Sequence, residues 1–135
     1  LPRESGASFR SRTPVSSMIR SYRDLIVWQK AMDLACAIPV IARQLPLCET
    51  RSLGEQMRRA VVSVPANIAE GYGRRSRAEF LRFLAIASAS LRELETLLLL
   101  TERRGLAKVG SLTEAFGLVN EVGRMLTVLH RRLRG

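Results

Sequence analysis

At four places in this sequence a serine followed three residues later by an acid opens a run of periodic apolar residues. The pairs are Ser21 with Asp24, Ser52 with Glu55, Ser76 with Glu79, and Ser111 with Glu114. Such a serine hydroxyl accepts from an orphan N–H of a helix's first turn, while the acid reaches back to the serine's own N–H and suits the positive helix end. Four starts predict four helices. The stop signals agree: "LPLC" at Leu45 to Cys48, "EGYG" at Glu70 to Gly73, "RRGL" at Arg103 to Leu106, and Gly135. The expected helices run near residues 22–45, 53–70, 77–104 and 112–133. Connections of about six to eight residues join antiparallel neighbours, so the expected fold is all-α, an antiparallel up-down-up-down four-helix bundle. Pro39 and Pro65 fall inside helices and predict a kink in each, because proline removes a backbone donor and pushes on the preceding turn.

Composition supports one helical domain. Of 135 residues, 47% are hydrophobic and only 5% aromatic, enough for a sizeable core but poor material for a sandwich or barrel. Residues 1–17 are rich in Ser, Arg and Pro without periodicity and read as a disordered arm or an appended extension, leaving residues 18–135 as the domain. The formal charge is +10, from 22 Lys and Arg against 12 Asp and Glu. Setting aside the arm's three arginines and one glutamate leaves 19 against 11, or +8, so the basic character belongs to the domain. Such a surplus points to a polyanion partner.

Several classes of chemistry lack their residues. Cys36 and Cys48 have neither C-x-x-C spacing nor a histidine cluster, so no metal site, cofactor or disulfide framework is expected, and reduced thiols fit a cytoplasmic location. The run Leu97 to Leu100 is flanked by charge and is too short to span a bilayer, and the N-terminus has no signal-peptide apolar core. The one histidine, His130 in "LHRRLRG", reads as a surface residue near a helix end rather than a general base. No catalytic residue is assigned and no enzyme is expected. "GYG" at Gly71 to Gly73 lacks the context of a phosphate-binding loop, and Gly71 reads as a left-handed C-terminal cap.

The second helix carries more than a core face. Leu53, Met57, Ala60, Val61, Val64 and Ile68 share one broad apolar side. Gln56, Arg59, Ser63, Asn67 and Glu70 form a polar stripe beside it, and Ser90 and Glu93 on the third helix are placed to meet them. The expected result is a buried structural network in which Arg59 pairs with Glu70 or Glu93. The remaining side, with Val62, Pro65, Ala66 and Ala69, is too apolar for water, which predicts an oligomer interface there.

Two arginine clusters stand out. Arg131, Arg132 and Arg134 suit the negative end of the last helix. Arg74, Arg75 and Arg77 crowd the positive start of the third, where cations are unfavourable, and so make the stronger phosphate-binding candidate. Arg58, Arg82 and Tyr72 complete the candidate nucleic-acid surface, Tyr72 as a possible stacking platform for a base.

The stretches "RDLIVWQKAMDL" and "LGEQMRRAVVSVPANIAEGYGRRSRAEFLRFLAIASASLRELETLL" together resemble the four-helix-bundle proteins encoded in intervening sequences of bacterial large-subunit ribosomal RNA genes. The specific match is Gln56, Arg58, Arg59, Ser63, Pro65, Asn67, Glu70 and Gly71, then Ser76, Glu79 and Phe80, then Ser90, Glu93 and Leu94. Ser52, Ala89 and Pro39 depart from the family pattern. The resemblance implies a basic, ring-like homo-oligomer, a barrel-like pentamer. It also implies kinship with the accessory protein of diversity-generating retroelements, which engages nucleic acid and a reverse transcriptase. Two functions therefore stand as expectations: phosphate-dominated binding of RNA or DNA, or a protein-protein scaffold or adaptor, for example for a reverse transcriptase, whose basic charge is incidental.

Overall fold

A computed structural model of the protein describes residues 19–135; the N-terminal arm of residues 1–17 lies outside the described residues. Four long helices and one short one follow a 3₁₀ turn at Tyr22–Asp24: α1 (Ile26–Arg43), the short α2 (Leu47–Thr50), α3 (Leu53–Tyr72), α4 (Arg77–Arg103) and α5 (Thr113–Arg134). No strand occurs among the described residues. The α3–α4 contact is the most extensive, α1 packs on α3, and α5 packs on both α1 and α4.

Helical periodicity places the core. Val27, Ala31, Leu34, Ile38 and Ala42 are the buried residues of α1, recurring every three or four positions as one face of a helix must. Met57, Val61, Val64 and Ile68 of α3 meet Leu84, Leu91, Leu94 and Leu98 of α4 in one cluster with Val119, Val122 and Leu126 of α5. Burial of α5 is confined to Ala115, Val119, Val122 and Leu126, a narrow stripe that leaves most of its circumference outside the core. Thr101, fully buried, satisfies its hydroxyl by donating to the Leu97 carbonyl at 2.8 Å.

The four capping signals meet different fates. Ser21 and Asp24 form a complete box, with Ser21 Oγ accepting from Arg23 N–H at 3.1 Å and Asp24 Oδ2 from Ser21 N–H at 3.2 Å, but it closes the 3₁₀ turn. Extended backbone at Leu25 then separates that turn from α1, so the first helix starts later than its signal. Ser76 caps α4 by accepting from Glu79 N–H at 3.1 Å. Ser52 and Ser111 are not side-chain caps: Ser52 Oγ donates to Glu49 Oε1 at 3.2 Å and Ser111 Oγ to the Lys108 carbonyl at 2.7 Å. In both, a preceding turn offers a closer acceptor than the helix offers a donor.

Helices α1 and α3 run continuously through Pro39 and Pro65 respectively, as single helices and not split pairs. One further expectation changes. Gly71 is no left-handed cap: it lies inside α3, buried, and the helix closes at Gly73 with φ −80°. The left-handed glycine that ends a helix is Gly105, at φ +66° after α4. There the Gly105 and Leu106 N–H groups donate to the Glu102 and Thr101 carbonyls, both at 3.0 Å, which is the Schellman pattern.

Candidate nucleic-acid interface

The corner between α3 and α4 is set by a close approach. A Cβ built on Gly71 would stand 2.7 Å from Phe83 Cβ and 3.0 Å from Phe80 Cδ1, so only glycine allows the end of α3 to lie against the first turns of α4. Phe83 is thereby buried, at 7% exposure. The guanidinium carbons of Arg74 and Arg82 each lie 4.7 Å from its ring centroid. Tyr72 packs edge-on against Phe80 with centroids 6.0 Å apart, a contact that occupies part of the ring proposed as a base-stacking platform.

The arginine cluster divides. Arg74 donates from Nη2 to Glu70 Oε2 at 2.7 Å, and its Nε lies 3.9 Å from Glu79 Oε1. Two carboxylates and an aromatic ring hold it, so it serves the corner's structure. Arg75 and Arg77 are exposed and make no ion pair among the described residues. A helix start leaves four N–H groups without helical acceptors, and Ser76 takes only that of Glu79. Arg82 is exposed on the same helix. Arg58 is half-buried on α3 and stands about 21 Å along the axis from Tyr72 at 1.5 Å per residue, too far to belong to the corner.

The expected seven-residue network shrinks to three. Ser63 Oγ accepts from Ser90 Oγ at 2.7 Å and from Asn67 Nδ2 at 2.9 Å, and Asn67 Nδ2 also donates to the Ser63 carbonyl at 2.7 Å. These half-buried groups tie α3 to α4. Gln56, Arg59 and Glu93 remain exposed, without a side-chain hydrogen bond or ion pair among the described residues, and Glu70 turns to Arg74. At the solvent-facing part of the stripe an ion pair competes with hydration and gains little, which is why Arg59 finds no acid.

The second apolar side of α3 also divides. Val62 is 58% exposed, Ala66 is exposed and Ala69 is half-buried, but Pro65 is buried by the chain itself and is unavailable to an oligomer interface. A contact without any local signal lies at the opposite end of α4, where Arg104 Nη2 donates to Glu49 Oε2 at 2.7 Å. That hydrogen bond, helped by Ser52 and by the guanidinium charge, holds the Glu49 carboxyl below its ordinary value against the opposing effect of desolvation. Lys30 and Glu121, 3.5 Å apart, connect α1 to α5 in the same long-range way.

No group of three or more His, Cys, Asp or Glu is placed to hold a metal ion among the described residues, and both cysteines are exposed free thiols. No described helix is long and apolar enough to cross a membrane. The family model for the 23S rRNA-intervening sequence protein matches residues 23–128, spanning α1 to α4 and most of α5. The chain belongs to that family. No curated protein matches it. Within the 23S rRNA-intervening sequence match fall the Gly71 corner and the Ser63, Asn67 and Ser90 node, whereas Arg131, Arg132 and Arg134 lie beyond it.

Proposed function

We propose that this member of the 23S rRNA-intervening sequence protein family is a non-enzymatic, cytoplasmic, basic homo-oligomer that binds RNA or DNA through phosphate contacts. The observation that carries the assignment is the exposure of Arg75 and Arg77 at the start of α4, beside Arg82, without carboxylate partners among the described residues. Cations in such a place are unfavourable for the helix itself and favourable for an anion that also uses the first-turn N–H groups. Contacts of this kind position a strand and carry little sequence preference.

The antiparallel bundle is supported by the four residues between α3 and α4 and by the placement of Gly123 near Leu91 while Arg131 and Arg134 sit near Ser88. Assembly into a ring, a pentamer by family resemblance, is supported by exposed Val62 and Ala66 on α3. Light scattering tests it, and a monomer at micromolar concentration would refute it. The local pairing of Lys30, Arg74, Arg92 and Arg104 with acids favours, for those four residues, the alternative of a protein scaffold with incidental charge.

Filter binding across a salt series tests the nucleic-acid assignment. Affinity is expected to fall steeply with salt, and Arg75→Gln with Arg77→Gln to lower the log–log slope on single strands by about 1.4, at roughly 0.7 per phosphate contact. Absence of RNA and DNA retention at low salt overturns the assignment.

A further inference from the structure

The narrow core stripe of α5 leaves a second basic line on its outer side. Asn120, Arg124, Thr127, Arg131 and Arg134 advance by four, three, four and three residues, the spacing that keeps side chains on one side of a helix. Two shallow pockets of about 480 and 390 Å³ share Thr127 and Arg131 and form one groove between this line and α4, which contributes Arg92. Among the described residues no aspartate or glutamate lines either pocket, and the one acid paired with a groove arginine is Glu95, 3.6 Å from exposed Arg92. Gly123, beside Leu91 and Arg92, has no side chain to fill the floor.

The helix dipole accounts for cations in the last turn of α5. It does not account for Arg124, more than two turns earlier, or for Arg92 on another helix. From Arg124 to Arg134 the line extends about 15 Å at 1.5 Å per residue, the reach of a few phosphates along one extended strand. Packed helices lie about 8–10 Å apart, which suits a single sugar-phosphate backbone between them better than a rigid duplex. Among the described residues the pocket linings contain no Phe, Tyr or Trp, so they offer no platform for base stacking.

We propose that the α4–α5 groove is a phosphate track for single-stranded nucleic acid, indifferent to base identity. The class of ligand rests on the nucleic-acid assignment above, but the residues are different ones. Fluorescence anisotropy over a salt series with labelled oligo(U), oligo(A) and an RNA duplex tests it on the full chain. Combined Arg124→Gln, Arg131→Gln and Arg134→Gln is expected to lower the slope on oligo(U) by about 2, at roughly 0.7 per lost contact. Thr127→Glu, at an exposed helical position, puts a carboxylate between Arg124 and Arg131 and is expected to lower it by about 0.7, the value for one lost contact, with helicity by circular dichroism unchanged. Oligo(U) and oligo(A) are expected to bind within about threefold, since stacking preference is absent. If neither groove variant changes the slope while Arg75→Gln with Arg77→Gln does, the groove is overturned and the corner stands. If wild type binds nothing at low salt, both fall. Tighter binding of duplex than of single strand, or a tenfold preference between the two oligomers, overturns the single-strand, base-indifferent track.

Discussion

Replacing Gly71 by alanine tests the claim that this glycine exists for close approach rather than for a left-handed turn. The new Cβ would meet Phe83 Cβ at 2.7 Å, and both atoms are anchored directly to helix backbones. Carbon atoms pack comfortably at about 3.5–4.0 Å, so α3 and α4 must part by close to 1 Å or the Phe83 ring must leave its place. Overpacking of this kind costs about 1–3 kcal/mol. Alanine's better helix propensity, worth about 0.8–1 kcal/mol in a helix interior, offsets little here because Gly71 is the penultimate residue of α3. A net destabilisation of about 2 kcal/mol follows, which for a domain of this size lowers Tm by about 8 °C. Gly73 supplies the control from the same "GYG". Its φ is −80° and an added Cβ meets only carbonyl oxygens at 3.7 and 3.9 Å, so Gly73→Ala is expected within about 0.5 kcal/mol of wild type. Urea unfolding at one fixed protein concentration, which removes any effect of self-association, measures both. A Gly71→Ala protein as stable as wild type, or a Gly73→Ala protein equally damaged, refutes the close-approach account.

Two other substitutions probe contacts between helices. Glu49→Gln removes the charge that Arg104 holds, and because the folded Glu49 carboxyl titrates below its ordinary 4.5, that stabilisation is present above 4.5 and lost as pH falls through the lowered folded value. Urea midpoints of wild type and Glu49→Gln are therefore expected to differ at neutral pH and to converge in acid below 4.5; a constant difference would count against the pair. Ser63→Ala leaves Ser90 Oγ and one Asn67 Nδ2 donor without their acceptor and is expected to cost about 1–2 kcal/mol. Adding Ser90→Ala should cost less than the sum of the two single changes, and a double-mutant cycle that proves additive would deny the Ser63–Ser90 bond any coupling.

The helices and their core faces were legible because helical periodicity is local: Met57, Val61, Val64 and Ile68 announce their common face by spacing alone. So was the surviving polar node, since Ser63 and Asn67 stand four apart on one side of α3. Features decided by another helix were not legible. Gly71 looks like an ordinary helix stop until Phe83 of α4 is brought against it, and Ser52 looks like a cap until Glu49 offers its carboxylate. Glu49 and Arg104 lie 55 residues apart, beyond the reach of any spacing rule.

Arg74 shows why a run of like charges cannot be assigned as one unit. Its four-residue spacing from Glu70 was a readable signal for an ion pair, yet its adjacency to Arg75 and Arg77 suggested a shared task. The reversal after Tyr72 separates them: Arg74 turns back to Glu70, Glu79 and Phe83, while its neighbours remain exposed. Stacking of an exposed cation on an aromatic ring contributes about 0.5–1 kcal/mol, and the two carboxylates would lose their common partner as well. Substituting the whole Arg74 to Arg77 run therefore mixes a folding defect at the corner with any loss of phosphate contacts. Changing Arg75 and Arg77 alone, with Arg74 kept, separates the two.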